Sequence, residues 1–244
     1  MNFEKMIEEK LEAYRTNYKF EIEQDKIVSK DQIRSKIEHT LLKPTASPED
    51  VERLCNEALE HKFFGVCVNP CYAELTVEKL RGTGIKVVSV VGFPLGASTP
   101  SIKAKEAEEL VKIGVDEIDM VLNIGMLKSK KWEYVYEEIS QVVEASKPAP
   151  VKVIIETCYL TLEEKIAACL ISELAKAAFV KTSTGFGPEG AKVEDVHLMK
   201  WCVPNLGVKA SGGIRTFKQA CQMVLAGADR IGTSQGVQLI LQEV

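Results

Sequence analysis

The chain has 244 residues, with 31 Lys and Arg against 35 Asp and Glu and a formal charge of -4. That length suits one large core, built as a single α/β barrel or as two smaller domains. No basic run follows a phosphate backbone, so nucleic acid is not an expected partner. The first segment, "MNFEKMIEEKLEAYRTNYKFEIEQDK", is charged throughout and has no apolar h-region, and no later apolar run reaches transmembrane length. The expectation is a soluble cytoplasmic protein with no membrane partner.

Seven cysteines, an odd number scattered among apolar segments, read as reduced thiols and not as a disulfide framework. Cys67 and Cys71 stand four apart in "CVNPC", but no second Cys or His pair completes a zinc set. His39, His61 and His197 are isolated, and no metal is expected.

In chain order, residues 1–34 are expected to form a helical extension, packed outside the main fold or mediating assembly. The first predicted strand is "SKIEHTLL" at 35–42, followed by a helical segment, "SPEDVERLCNEALEH", with Ser47 as cap and Pro48 in its first turn. Further strands are predicted at 63–69 ("FFGVCVN"), 85–93 ("IKVVSVVGF"), 116–123 ("DEIDMVLN") and 151–157 ("VKVIIET"). Thr161 and Glu164 then have capping-box spacing ahead of an apolar face. The last strands are predicted at 178–184 ("AFVKTST"), 207–211 ("GVKAS") and 229–234 ("DRIGTS"), with "TFKQACQMVLAGAD" between the final two closing on Gly227 at a helix C′ position. Most of these runs are near-continuous in Val and Ile, as in strands covered on both faces. Eight strands alternating with helices predict a parallel (β/α)8 TIM barrel over 35–244, with a doubly wound open sheet as the alternative.

Two of these strands carry a lysine among apolar residues. Lys181 shares a strand face with Phe179 and Ser183, and Lys209 holds the corresponding place in the next strand. Both precede loops at the carboxyl ends of their strands, where barrel enzymes keep their chemistry. A lysine at its ordinary value of about 10.4 stays protonated at neutral pH, and bringing that value near neutrality costs roughly 4 kcal/mol. A second ammonium roughly 6 Å away supplies about 2.8 kcal/mol of this at an effective dielectric of about 20, leaving the remainder to desolvation. Two interior lysines can therefore make one nucleophilic amine. The plainer reading, that strand-end lysines snorkel to solvent or pair with a carboxylate, fits one such lysine better than two on consecutive strands.

Asp119, in mid-strand, can pair with Lys209 and pass protons, or can serve only as a buried ion-pair partner. Asp116 and Glu117, at the strand entrance, read as solvated loop charges. Three loops, "TSTGFG", "SGGIR" and "GTSQG", have the small residues that let backbone N–H groups approach an anion, and the last two follow the strands where such barrels hold phosphate.

The ordered series "IEHTLLKP", "VCVNP", "VVGFPLGA", "EIDMVLNIG", "VIIET", "FVKTSTGF", "VKASGGIR" and "RIGTSQG" resembles the deoxyribose-phosphate aldolases over residues 37–236. The resemblance implies a (β/α)8 barrel and a metal-free class I aldolase without a cofactor. It further implies reversible cleavage of 2-deoxy-D-ribose 5-phosphate to D-glyceraldehyde 3-phosphate and acetaldehyde. By position, Lys181 matches the Schiff-base lysine, Lys209 the second lysine that perturbs it, and Asp119 the aspartate of the proton relay. Gly185, Gly212, Gly213, Gly232 and Ser234 match positions gripping the phosphate, and Thr40 and Cys67 match positions lining the pocket. A homo-oligomer, dimer or tetramer, is compatible with this reading.

Three departures stand out. Glu38 occupies a place where the family usually has Asp, so an extra methylene is expected to shift the relay or crowd Lys209. "GPEGAK" replaces a more usual ending of the sixth loop, with Glu189 and Lys192 altering the charge there, and the chain ends in "VQLILQEV" without a terminal tyrosine. The competing readings are a class I aldolase acting on another phosphorylated sugar, separable by its donor preference, and a non-catalytic sugar-phosphate-binding barrel, separable by binding without turnover.

Overall fold

A computed structural model describes residues 2–22, 26 and 28–242. Residues 1, 23–25 and 27 of the expected extension, and 243–244 at the far end, lie outside the described residues. Two helices come first, α1 (Phe3–Asn17) and α2 (Lys30–Arg34). The strands are β1 (Ile37–Leu41), β2 (Gly65–Val68), β3 (Lys86–Val91), β4 (Glu117–Val121), β5 (Val151–Ile154), β6 (Phe179–Lys181), β7 (Gly207–Ser211) and β8 (Arg230–Thr233). Between and after them run α3 (Pro48–His61), α4 (Ala73–Leu80), α5 (Pro100–Ile113), α6 (Ile124–Lys128), α7 (Trp132–Ala145), α8 (Leu162–Leu174), α9 (Val193–Cys202), α10 (Phe217–Leu225) and α11 (Gly236–Leu241).

The strands pair in parallel in chain order, and β1 pairs with β8 through Ile37 opposite Ile231 and Glu38 opposite Gly232. That last pairing closes the sheet, so the fold is a (β/α)8 barrel with an N-terminal helical extension and not a doubly wound open sheet. The helix signals read from the sequence form as expected. Ser47 caps α3 in a capping box with Asp50, Thr161 caps α8 with Glu164, and Gly227 follows α10 at φ 110°.

Strand alternation separates two kinds of core. Ile118 and Met120 of β4, Val151 and Val153 of β5, Val180 of β6, and Val208 and Ala210 of β7 belong to the large apolar cluster shared with the helices. Each side chain of Val or Ile size buried there contributes roughly 1.5–3 kcal/mol. The residues interleaved with them, Asp119, Lys152, Lys181 and Lys209, are buried and charged. A smaller apolar group, Leu42, Cys67, Val88 and Val90, packs apart from the main cluster on the β2–β3 side. The barrel interior therefore carries a polar layer where most such barrels stack only branched apolar side chains.

α1 straps the outside. Its Phe3 ring meets Tyr136 of α7, and Tyr14 and the following Tyr18 meet Trp201 of α9. Among the described residues no helix is long and apolar enough to cross a membrane.

Candidate active site

The strand register builds the site. Pairing of β6 with β7 sets Lys181 directly opposite Lys209, and pairing of β4 with β5 sets Asp119 opposite Lys152. Asp119 then joins all three amines: Oδ2 accepts from Lys181 Nζ at 2.7 Å and from Lys209 Nζ at 2.6 Å, and Oδ1 accepts from Lys152 Nζ at 3.0 Å. Glu38 also accepts from Lys209 through Oε2, while its Oε1 stands 3.6 Å from Lys152 Nζ and 3.9 Å from Arg230 Nε. Lys152 reaches Glu117 at 2.6 Å, and the Arg230 guanidinium lies over the Phe64 ring with its carbon 3.6 Å from the centroid.

This layer holds Glu38, Glu117 and Asp119 against Lys152, Lys181, Lys209 and Arg230. Four cationic groups thus face three carboxylates, and of the three lysines it is Lys181 whose charge the surroundings disfavour. Burial lowers the Lys181 amine most; Asp119 opposes this, the Lys209 charge adds to it, and the net result lies below the ordinary lysine value. Lys209 is equally buried, but Asp119 and Glu38 together overcome that penalty and raise it. Burial likewise disfavours the charge on Lys152, and Asp119 and Glu38 again reverse the outcome. Burial works against the Asp119 carboxylate too, yet Lys152, Lys181 and Lys209 hold it well below the usual carboxylate range. The 2.7 Å contact between Lys181 and Asp119 does not require an ammonium, since a neutral amine N–H also donates to a carboxylate.

Above this layer opens a cavity of about 350 Å³, lined by Lys181 together with Thr40, Gly185, Gly212, Gly213, Gly232 and Ser234. Thr184, Phe186 and Ser211 also line it, as do two exposed cations, Lys43 and Arg215. The hydroxyls of Thr182 and Ser211 knit the strand ends together. Thr182 Oγ1 donates to the Ser211 carbonyl and accepts from the Ser211 N–H, both at 3.0 Å, and Ser211 Oγ donates to the Ser183 carbonyl at 2.6 Å. A Cβ on Gly190 would stand 2.1 Å from the Gly212 carbonyl oxygen, so that glycine is required by close approach, and one on Gly232 would be tight at 3.1 Å from Lys209 Cε. Among the described residues no group of three or more His, Cys, Asp or Glu side chains is arranged to hold a metal ion.

The structure brings Lys181, Lys209 and Asp119 into contact, but only Lys181 reaches the cavity wall; the other two lie beneath it. Cys67, expected at the pocket wall, is instead fully buried against Leu42, Val88 and Val90, and burial pushes its thiol up to about 11. Two further expectations are corrected. Glu117 is buried, not solvated, because β4 turns it inward onto Lys152, whereas Asp116 stays half-exposed and pairs with Lys86 at 2.8 Å. Burial, and not the neighbouring cation, is the largest cause lowering the Lys181 amine.

Glu38 is accommodated by contact with Lys209 and proximity to Lys152. Glu189 and Lys192 pair with each other at 2.6 Å, so their charges cancel locally. The sequence reading missed Lys152 and Arg230. "VKVI" carries the same lysine-in-apolar-strand signal as "FVK" and "GVKAS", which makes Lys152 a residue that the argument used for Lys181 could have found.

Comparison with known proteins agrees with this fold. The family model described as DeoC/LacD family aldolase matches residues 26–241. A curated protein of Thermotoga petrophila, named deoxyribose-phosphate aldolase, is 61% identical over 235 residues, covering 96% of this chain and 94% of the relative. A solved structure of a Coccidioides immitis protein superposes with a TM-score of 0.92 at 37% identity, covering 98% and 97% of the two chains. The deoxyribose phosphate aldolase of Aeropyrum pernix, described as tetrameric, gives 0.83 at 36% identity, covering 88% and 92%. A barrel with a buried lysine opening into its carboxyl-end cavity, and a family match over most of its length, together mean that this chain belongs to the DeoC/LacD family of aldolases.

Proposed function

We propose that Lys181 is the Schiff-base lysine through which this protein works as a class I aldolase. The reaction is the reversible cleavage of 2-deoxy-D-ribose 5-phosphate to D-glyceraldehyde 3-phosphate and acetaldehyde, and the identity to curated aldolases supports that substrate. The observation that carries the assignment to Lys181 is that, of the interior lysines 152, 181 and 209, it alone lines the cavity and it alone has its amine lowered.

In the cleavage direction the neutral Lys181 amine adds to the sugar aldehyde, and loss of water gives an iminium. Asp119, with the Lys209 ammonium bound to it, takes the proton from the C3 hydroxyl through a water as the C2–C3 bond breaks, and the bonding pair moves to C2 as an enamine while glyceraldehyde 3-phosphate leaves. Proton return to C2 and hydrolysis of the resulting iminium release acetaldehyde and restore the amine. Gly185, Gly212, Gly213, Gly232 and Ser234, with the Lys43 and Arg215 cations near them on the cavity wall, form the end that accepts the phosphate. Thr40 lines the same cavity, and Cys67 fills the interior beside the lysine layer.

Seven unpaired cysteines support a reducing, cytoplasmic location. Residues 1–34 serve as the extension and 35–244 as the aldolase barrel, and the tetrameric Aeropyrum pernix relative supports assembly into a homo-oligomer. The test is a coupled cleavage assay on 2-deoxy-D-ribose 5-phosphate comparing this protein with Lys181→Ala. Turnover by the parent and none by the variant is expected, and an active variant rejects the assignment.

A further inference from the structure

Glu156 stands just beyond β5 in the left-handed region, at φ 53° and ψ 67°, where L side chains rarely sit. The ladder between β5 and β6 continues on both sides of it. The Ile155 N–H donates to the Lys181 carbonyl at 3.0 Å, and the Thr157 N–H donates to the Thr182 carbonyl at 2.9 Å. Between these two fixed points the side chain of Glu156 reaches Thr184. The Thr184 N–H donates to both carboxylate oxygens at 3.2 Å, and the Thr184 hydroxyl donates to Oε2 at 2.5 Å. Thr184 Oγ1 in turn accepts from the Phe186 N–H at 3.0 Å, and the Phe186 ring packs edge-to-face on Phe93. Thr184, Gly185 and Phe186 all line the cavity, whereas Glu156 lies behind them, 2% exposed.

We propose that Glu156 is a positioning residue for substrate binding, its carboxylate holding the loop between β6 and α9 in the shape that forms one wall of the cavity. The inference rests on the reading that this cavity takes a phosphorylated sugar. Only an acceptor answers the Thr184 donors, so the ionised carboxylate fits and a protonated one sets a donor against the Thr184 hydroxyl. Backbone strain at Glu156 is tolerated because the neighbouring ladder bonds over-determine it, a pattern that clusters at functional sites. The other groups facing the carboxylate are Lys181, which favours the ionised form only while it is itself protonated, and Cys158, whose sulfur lies 4.0 Å from Oε1. Burial raises the Glu156 carboxyl above its ordinary value, so acid protonates it earlier than a surface carboxylate and the loop loosens as pH falls.

Steady-state cleavage of 2-deoxy-D-ribose 5-phosphate by the parent, Glu156→Gln, Thr184→Val and the conservative Thr184→Ser, followed from acidic to neutral pH, tests this. KM is expected to rise roughly tenfold in Glu156→Gln and Thr184→Val, as for one lost charge-assisted hydrogen bond, with kcat changed less than about twofold. Thr184→Ser keeps a KM close to the parent's, and Glu156→Gln loses the acid-side rise in KM that the parent shows. An unchanged KM in both disruptive variants, or a fall in kcat at constant KM, overturns the proposal. Should Glu156→Gln fail to fold, Thr184→Val decides alone. A parent protein that does not cleave the sugar rejects the proposed function and this inference with it, whereas parent turnover with unaltered variant KM rejects this inference only.

Discussion

Lys181 and Lys209 face each other across neighbouring strands, and their surroundings push them in opposite directions. Lys209 has two carboxylates, Glu38 and Asp119, while Lys181 has a share of Asp119 alone and shares it with two other amines. The depressed value on Lys181 means that its neutral fraction grows as pH rises through a point below the ordinary lysine value. Replacing Lys209 by Met removes the repelling charge and leaves Asp119 to pair more closely with Lys181. Turnover is expected to fall by about a hundredfold or more, in line with loss of a proton-transfer partner. The pH midpoint for borohydride trapping of an acetaldehyde adduct should also move upward, and an unmoved midpoint argues that Lys209 does not tune Lys181. The lysine-in-strand pattern was legible for these two residues. Lys152 and the inward turn of Glu117 were less so, because a strand-entrance charge reads as solvated unless the register is known.

The elements hold the site through a few buried cross-links, and these separate stability from chemistry. Lys103 of α5 donates to Glu138 of α7 at 2.7 Å and to the Gly96 and Val121 carbonyls at 2.8 Å, tying the β3–α5 loop to the end of β4. Burial lowers the Lys103 amine and raises the Glu138 carboxyl, so each depends on the other. Lys103→Met is expected to cost roughly 3–5 kcal/mol in urea unfolding because it strands a buried carboxyl group and two carbonyls. A loss below about 1 kcal/mol contradicts this.

Gly232→Ala acts differently. Its backbone needs no left-handed conformation, but the added Cβ meets Ser211 Cβ at 3.0 Å and Lys209 Cε at 3.1 Å. Displacing Lys209 should lower kcat roughly tenfold or more with unfolding changed by no more than about 1–3 kcal/mol, and unaltered kcat speaks against a fixed Lys209. At this scale, strand identity was readable from Val and Ile runs, but strand ends were not. The expected strand at 178–184 stops at Lys181: the Thr182 backbone still bonds both neighbouring strands, but Thr184 turns its N–H and hydroxyl to Glu156, and the one at 151–157 stops before Glu156 turns left-handed.

For the whole molecule, the closed barrel separates an apolar jacket from a charged interior, and α1 adds to the jacket only. Phe3 and Ile7 are each 3% exposed, so deleting residues 1–17 forfeits two buried apolar side chains, about 1.5–3 kcal/mol each. The melting temperature should drop while KM stays the same, and a raised KM in the still-folded truncation contradicts an external role for α1. Barrel architecture was legible from eight alternating segments, whereas the docking of α1 depends on where Tyr14 and Tyr18 meet Trp201, a contact far apart in sequence.

Of the three lysines in the charged layer of the barrel, one amine is free to react. Incubation with acetaldehyde and borohydride followed by peptide mapping reads this directly. The adduct is predicted on Lys181 and not on Lys152 or Lys209, and an adduct on either of those, or an unmodified Lys181 in a protein that turns over, contradicts it.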